Sequence, residues 1–131
     1  MRQNGNGIVF VIEELSSGNL IGAIGIIQID WPSHKAELGY WLARSQWGKG
    51  VMTEAVTLFL QFAFDILKLV RLHAHVLGPN VGSQKVLKKC GFVLEGTLRK
   101  SEFRRRRWHD NLCFAMLAGE YKSIRSLGKS R

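Results

Sequence analysis

The chain has 131 residues, 46% hydrophobic and 22% charged, and a formal net charge of +9. That is one ordinary globular domain, long enough to bury about two thirds of its unfolded surface. No apolar stretch reaches about 18 residues and Met1 to Gly7 has no hydrophobic region, so neither a membrane span nor a signal peptide is expected.

Cys90 and Cys113 lack metal-ligand spacing, and reduced thiols in a cytoplasmic protein are the expected state. The positive charge is densest at Arg104 to Arg107, with Arg99 and Lys100 upstream and a basic tail from Lys122 to Arg131. Nucleic acid, an acidic protein or a polyanionic cofactor would suit it, and so would a solvated basic rim.

In chain order, Ile8 to Ile12 is rich in β-branched residues and predicts a strand. A turn over Glu13 to Asn19 leads to a second strand, Leu20 to Ile29. After the turn Trp31 to His34, a third strand covers Lys35 to Ala43. On it Ala36, Leu38, Tyr40 and Leu42 face one way, and Glu37, Gly39 and Trp41 the other.

The decapeptide Gln46 to Ala55, QWGKGVMTEA, then opens the longest helical pattern, Val51 to Val70. Val56, Phe59, Leu60, Ala63 and Leu67 form its apolar stripe. Gly48 and Gly50 let successive backbone N–H groups turn toward one point, and the helix start and Lys49 add positive charge. The segment fits neither G-x-x-x-x-G-K-[ST] nor G-x-G-x-x-G, whose third glycine is replaced by Thr53. A phosphate cradle and a plain strand-to-helix turn both remain open from these ten residues.

Arg71 to Leu77 predicts a strand stopped by Gly78-Pro79-Asn80, and Val81 to Cys90 a short helix ended by Gly91. Phe92 to Arg99 and Trp108 to Leu117 predict a last pair of strands around the arginine run, and the residues after Gly119 a fraying tail. The order β-β-β-α-β-α-β-β predicts a mixed, mostly antiparallel α/β sheet with helices on its faces. His73 and His75 share one strand face, a pattern commoner for half-wet strands than for ligands, and no metal is assigned.

Glu37 to Leu42, Trp47 to Ala55, Asn80-Val81-Gly82-Ser83 and Lys88 to Phe92 occur in the order seen in GNAT acyltransferases. Together with Glu95 to Arg99 and Trp108-His109-Asp110, they most resemble the branch that acetylates the N-termini of ribosomal proteins. The resemblance covers residues 8–120, with a basic tail over 121–131. It implies an N-acetyltransferase of the acyl-CoA N-acyltransferase type, with acetyl-CoA as co-substrate. The acceptor would be an amine: a protein N-terminus, a polyamine or another small amine.

By that resemblance the backbone of Trp47, Gly48, Lys49, Gly50, Val51 and Met52 would hold the CoA pyrophosphate. Trp41, Leu42 and Ala43 would pair with the pantetheine arm, with Asn80 hydrogen-bonding it, and Lys85 or Lys89 would reach the phosphates. Glu37 is the candidate general base and Ser83 the candidate general acid, with a backbone N–H near Trp41 or Leu42 as oxyanion donor.

Many relatives carry a tyrosine as acid seven residues after the helix-starting asparagine, but here that position is Leu87. This leaves the acid to Ser83, to water or to no group. The family also places a strand and one or two helices ahead of the first strand seen here. The expectation is a fragment, a site completed by another chain, or a homodimer through the uncovered strand edge.

Overall fold

This computed structural model describes residues 7–129, with side chains described as far as Leu127. Three strands run down the first third: β1 (Ile8–Glu13), β2 (Leu20–Asp30) and β3 (Lys35–Leu42). A 3-10 turn, Arg44–Gln46, leads to α1 (Val51–Gln61). Then come β4 (Arg71–Leu77), α2 (Val81–Lys89), β5 (Val93–Arg104), β6 (Arg107–Leu117) and α3 (Ala118–Lys129). The six strands form one sheet in the order β1-β2-β3-β4-β6-β5.

Only β3 and β4 run parallel. They are joined through α1, because a parallel pair needs a crossover where an antiparallel pair needs only a hairpin. Alternation puts Ile24, Ile26, Ala36, Leu38, Leu72, Ala74, Val76, Phe114 and Met116 in one buried cluster. The cluster takes Val56, Phe59 and Leu60 from α1, Ala63 from the turn that follows it, Leu87 from α2 and Tyr121 from α3. The three helices therefore gather over one face of the sheet.

The structure corrects three boundaries. The helical pattern does not run to Val70: α1 widens into a π turn over Phe62–Ile66, closed by Leu67 N–H to Phe62 O at 3.0 Å. Lys68 then turns left-handed (φ 59°) and Leu69 drops into the core, so the chain leaves the helix to bury an apolar side chain.

The arginine run is not a loop between strands. β5 and β6 extend through it and leave Arg105 and Arg106 as the tip of a two-residue hairpin, at φ 53° and 61°. Such tips require left-handed backbone at both positions, normally supplied by Asn or Gly.

The stretch after Gly119 is a docked helix, not a fraying tail. Tyr121 is buried against Phe64, ring centroids 5.0 Å apart, and its hydroxyl donates to Asp65 Oδ2 at 2.8 Å. Arg125 pairs with the same carboxylate.

Candidate active site

β3 and β4 pair only at Lys35–Arg71, Ala36–Leu72 and Glu37–His73. Beyond that rung β3 stays with β2 as far as Leu42, while β4 follows β6 as far as Leu77. The two strands part, and a cleft of about 400 Å³ opens between them. Glu37, Tyr40, Asn80 and Ser83 all line it, and Arg104 reaches it from the hairpin.

The backbone of β3 decides what the split offers. The Ala43 N–H donates to Ile21 O at 2.7 Å, so residue 43 points at β2. In an antiparallel pair this alternates, which turns Trp41 toward β2 as well and aims Leu42 and Tyr40 into the split. Of the three residues expected along a pantetheine arm, only Leu42 therefore presents its main chain to the opening. Its carbonyl already accepts the Trp47 indole N–H at 2.8 Å, leaving the Leu42 amide as the free group. This narrows the expected set by strand geometry, and it ties the glycine loop to the end of β3.

In the loop itself Gly48 (φ 75°) and Gly50 (φ 81°) are left-handed, with open space where a side chain would start. Conformation, not crowding, demands glycine there. Gly50 caps α1, whose first helical bond is Glu54 N–H to Gly50 O at 3.1 Å. The amides of Val51, Met52 and Thr53 precede that bond and are left for another acceptor.

Lys49, Lys85 and Lys89 are exposed. Cys90 Sγ lies 3.6 Å from Thr53 O, which sets the C-terminal end of α2 beside the first turn of α1 and brings Lys89 to that region. Burial pushes the Cys90 thiol above its usual range.

Asn80 is the N-cap of α2: its Oδ1 accepts the Ser83 N–H at 3.1 Å. That bond fixes the first turn of α2 and holds Ser83 over the cleft, while its side-chain N–H groups are not used by the cap. The Ser83 Oγ stands 2.5 Å from the Tyr40 hydroxyl. Burial pushes the Tyr40 phenol above its usual range, opposed in part by the bond to Ser83, so it stays protonated at neutral pH.

The sequence reading placed Tyr40 on the apolar face of its strand without a role. A phenol among Ala36 and Leu38 needs a polar partner when buried, and that was the available signal. Leu87, where the resemblance led one to expect a tyrosine, is completely buried, and its side chain has no proton to give.

Glu37 lies on the opposite face of β3, with Oε2 at 3.3 Å from His75 Nδ1. His73 sits beside it at the last rung; burial holds its imidazole below the usual range, against the pull of Glu37. A carboxylate on one face and a phenol–hydroxyl pair on the other meet only where the sheet is split. A substrate lying in that split would have a proton acceptor on one side and proton donors on the other.

A mixed sheet opened between parallel strands, with a glycine loop at the head of the helix that joins them, is an acyl-CoA type of architecture. Residues 1–93 match the family model described as Acetyltransferase (GNAT) domain. The chain belongs to the GNAT acetyltransferase family.

It is 41% identical over 109 residues to "Probable N-acetyltransferase YjcK" of Bacillus subtilis (strain 168), covering 82% of this chain and 60% of that protein. Mutant forms of the spermidine/spermine N-acetyltransferase SpeG of Vibrio cholerae superpose with a TM-score of 0.84 at 30% identity, over 90% of this chain and 70% of that one. The ribosomal-protein-S5-alanine acetyltransferase of Vibrio fischeri gives 0.81 at 28% identity, over 88% and 63%. The chain spans about 60% of the length of the curated relatives it matches. No helix among the described residues is long and apolar enough to cross a membrane.

Proposed function

We propose that this chain transfers the acetyl group of acetyl-CoA to a primary amine, and that the acceptor is the α-amine of a protein or peptide rather than a polyamine. The observation that carries the reading is the meeting of Glu37 with the Tyr40–Ser83 pair in one cleft, beside the glycine loop.

In this reading the first-turn amides of α1 take the CoA diphosphate, with Lys49 and Lys89 adding charge. Asn80 holds the thioester arm. As the amine nitrogen bonds to the thioester carbon, Glu37 accepts its proton, directly or through water. The Leu42 amide faces the charge that grows on the carbonyl oxygen. When the carbon–sulfur bond breaks, Ser83 gives its proton to the leaving thiolate and recovers one from Tyr40; solvent then returns a proton to Tyr40 and takes one from Glu37. Two free cysteines fit a reducing cytoplasmic setting.

Electrostatics selects the acceptor class. Arg104 lines the cleft, Arg105 to Arg107 stand at the adjoining hairpin tip, and the whole chain carries +9. A polycation would be repelled, whereas a peptide with acidic residues after its first position would be drawn in. Free CoA release from acetyl-CoA should therefore be fastest with acidic N-terminal peptides and slow with spermidine. Failure of every acceptor in a panel of peptides, polyamines and aminoglycosides to release CoA, despite CoA binding, would sink the enzymatic reading. A preference for spermidine would sink the acceptor assignment alone.

One observation favours a second reading, in which the chain binds CoA and acts through a partner chain. β1 is an edge strand with Val9, Phe10 and Val11 exposed, above a largely apolar groove of about 750 Å³ shared with α1. Such edges recruit chains, a second copy included. Sedimentation equilibrium showing a monomer at all concentrations would exclude self-association.

A further inference from the structure

We propose that Glu37, His73 and His75 form a site for one zinc-type divalent ion at the closed end of the cleft, and that the ion switches acetyl transfer off by occupying Glu37. The ion-binding half of this stands on the three side chains alone, and only the switch rests on the proposed role of Glu37.

The geometry comes from the sheet. Glu37 and His73 face each other across the last rung of the β3–β4 pairing, and His75 follows two residues along on the same face. One ligand atom from each of the three lies within 4.8 Å of the others. His75 Nδ1 and Glu37 Oε2 are 3.3 Å apart. Two ligands about 2.0–2.1 Å from a tetrahedral ion stand about 3.3 Å from each other, so this pair already has the required spacing. The His73 ligand atom, within 4.8 Å of the other two, must close a gap of at most about 1.5 Å to reach the same spacing.

The donor set selects the class of ion. Two imidazoles and one carboxylate suit zinc and its neighbours in the first transition row, whereas magnesium and calcium prefer all-oxygen shells. Three protein ligands leave one position of a tetrahedron open to water. His73 Nδ1 is sealed from solvent and has no hydrogen-bond partner. A buried polar atom without a partner is unfavourable, and coordination through Nδ1 would give it one. Of the two cations that act on His73, Arg71 is balanced by Glu95 through two bonds at 2.8 and 3.0 Å, and Lys35 is exposed to solvent. A carboxylate oxygen committed to an ion cannot take the proton of an attacking amine, which makes the site inhibitory.

The test uses tag-free, metal-stripped protein. Cobalt(II) chloride followed by visible absorption, and zinc chloride followed by calorimetry, should each show one ion per chain, with zinc displacing cobalt. His75→Ala changes an exposed position and should keep the fold by circular dichroism while weakening zinc binding at least about tenfold. Glu37→Gln should do the same.

Cys113 pairs with His75 across β4 and β6 and so neighbours the site, but it is outside the three-ligand set, so Cys113→Ser should leave the affinity unchanged. Absence of ion binding by the folded wild type, unchanged affinity in His75→Ala, or loss of affinity in Cys113→Ser would overturn the site. If zinc binds as described, added zinc should suppress CoA release and a chelator should restore it. Binding without suppression would overturn the switch, and a metal-free chain without any turnover would count against the proposed function instead.

Discussion

The Tyr40 hydroxyl reaches Ser83 Oγ at 2.5 Å across 43 positions of sequence, joining the end of β3 to the first turn of α2. The pair spans one side of the split and leaves Glu37 to the other. If Ser83 passes its proton to the thiolate and Tyr40 resupplies it, Tyr40→Phe and Ser83→Ala should each lower kcat about 10²-fold with little change in KM for acetyl-CoA. The double variant should be no slower than the slower single one, since groups acting in one relay are not additive. Additive losses in steady-state kinetics would dissociate the two hydroxyls.

Glu37→Gln keeps the shape of the side chain and removes the proton acceptor. The expected loss in kcat is about 10²–10⁴-fold, with acetyl-CoA affinity retained. An unchanged rate would remove Glu37 from the chemistry.

Gly50 holds φ 81° at the cap of α1. Gly50→Ala forces a side chain into left-handed backbone at a cost of about 1–2 kcal/mol and places a methyl group where the proposed diphosphate seat lies. Thermal unfolding should register the first effect and calorimetry the second, as a weaker Kd for CoA. Retained affinity would reduce this loop to a strand-to-helix turn.

Tyr121 fastens α3 to the body of the domain through Phe64 and Asp65. Tyr121→Ala removes a buried ring and should cost about 3 kcal/mol in chemical denaturation. A near-neutral change would show that α3 contributes little to the fold.

The ion pair of Arg71 with Glu95 makes stability depend on acid. The Arg71 guanidinium holds the Glu95 carboxyl below its usual range, and Arg71 is correspondingly raised. A carboxyl depressed in the folded state stabilises above its ordinary value of about 4.5 and loses that contribution as pH falls through the folded value. The Tm difference between wild type and Glu95→Gln should therefore be constant above about pH 5 and shrink in more acidic buffer. A difference independent of pH would assign the effect to packing.

Much of this was visible in order of residues. Alternation in Lys35 to Leu42 set the faces of β3 correctly, and the spacing of Val56, Phe59, Leu60 and Ala63 set the buried side of α1. What escaped were contacts between distant segments. The polar, basic stretch after Ala118 forms a helix because Tyr121 meets Asp65, 56 positions away, and no local window contains that pair. Tyr40 carries no role in the sequence pattern for the same reason: its partner belongs to α2. The restriction of free backbone to Leu42 depends on which way β3 faces β2, a question of pairing that spacing along one strand cannot answer.

The most direct test is a calorimetric titration of the folded chain with acetyl-CoA. One molecule bound per chain, with affinity reduced in both Gly50→Ala and Lys49→Ala, is the result that follows from a diphosphate seated on the first turn of α1. A folded protein that gives no saturable heat with acetyl-CoA would contradict the account at its root.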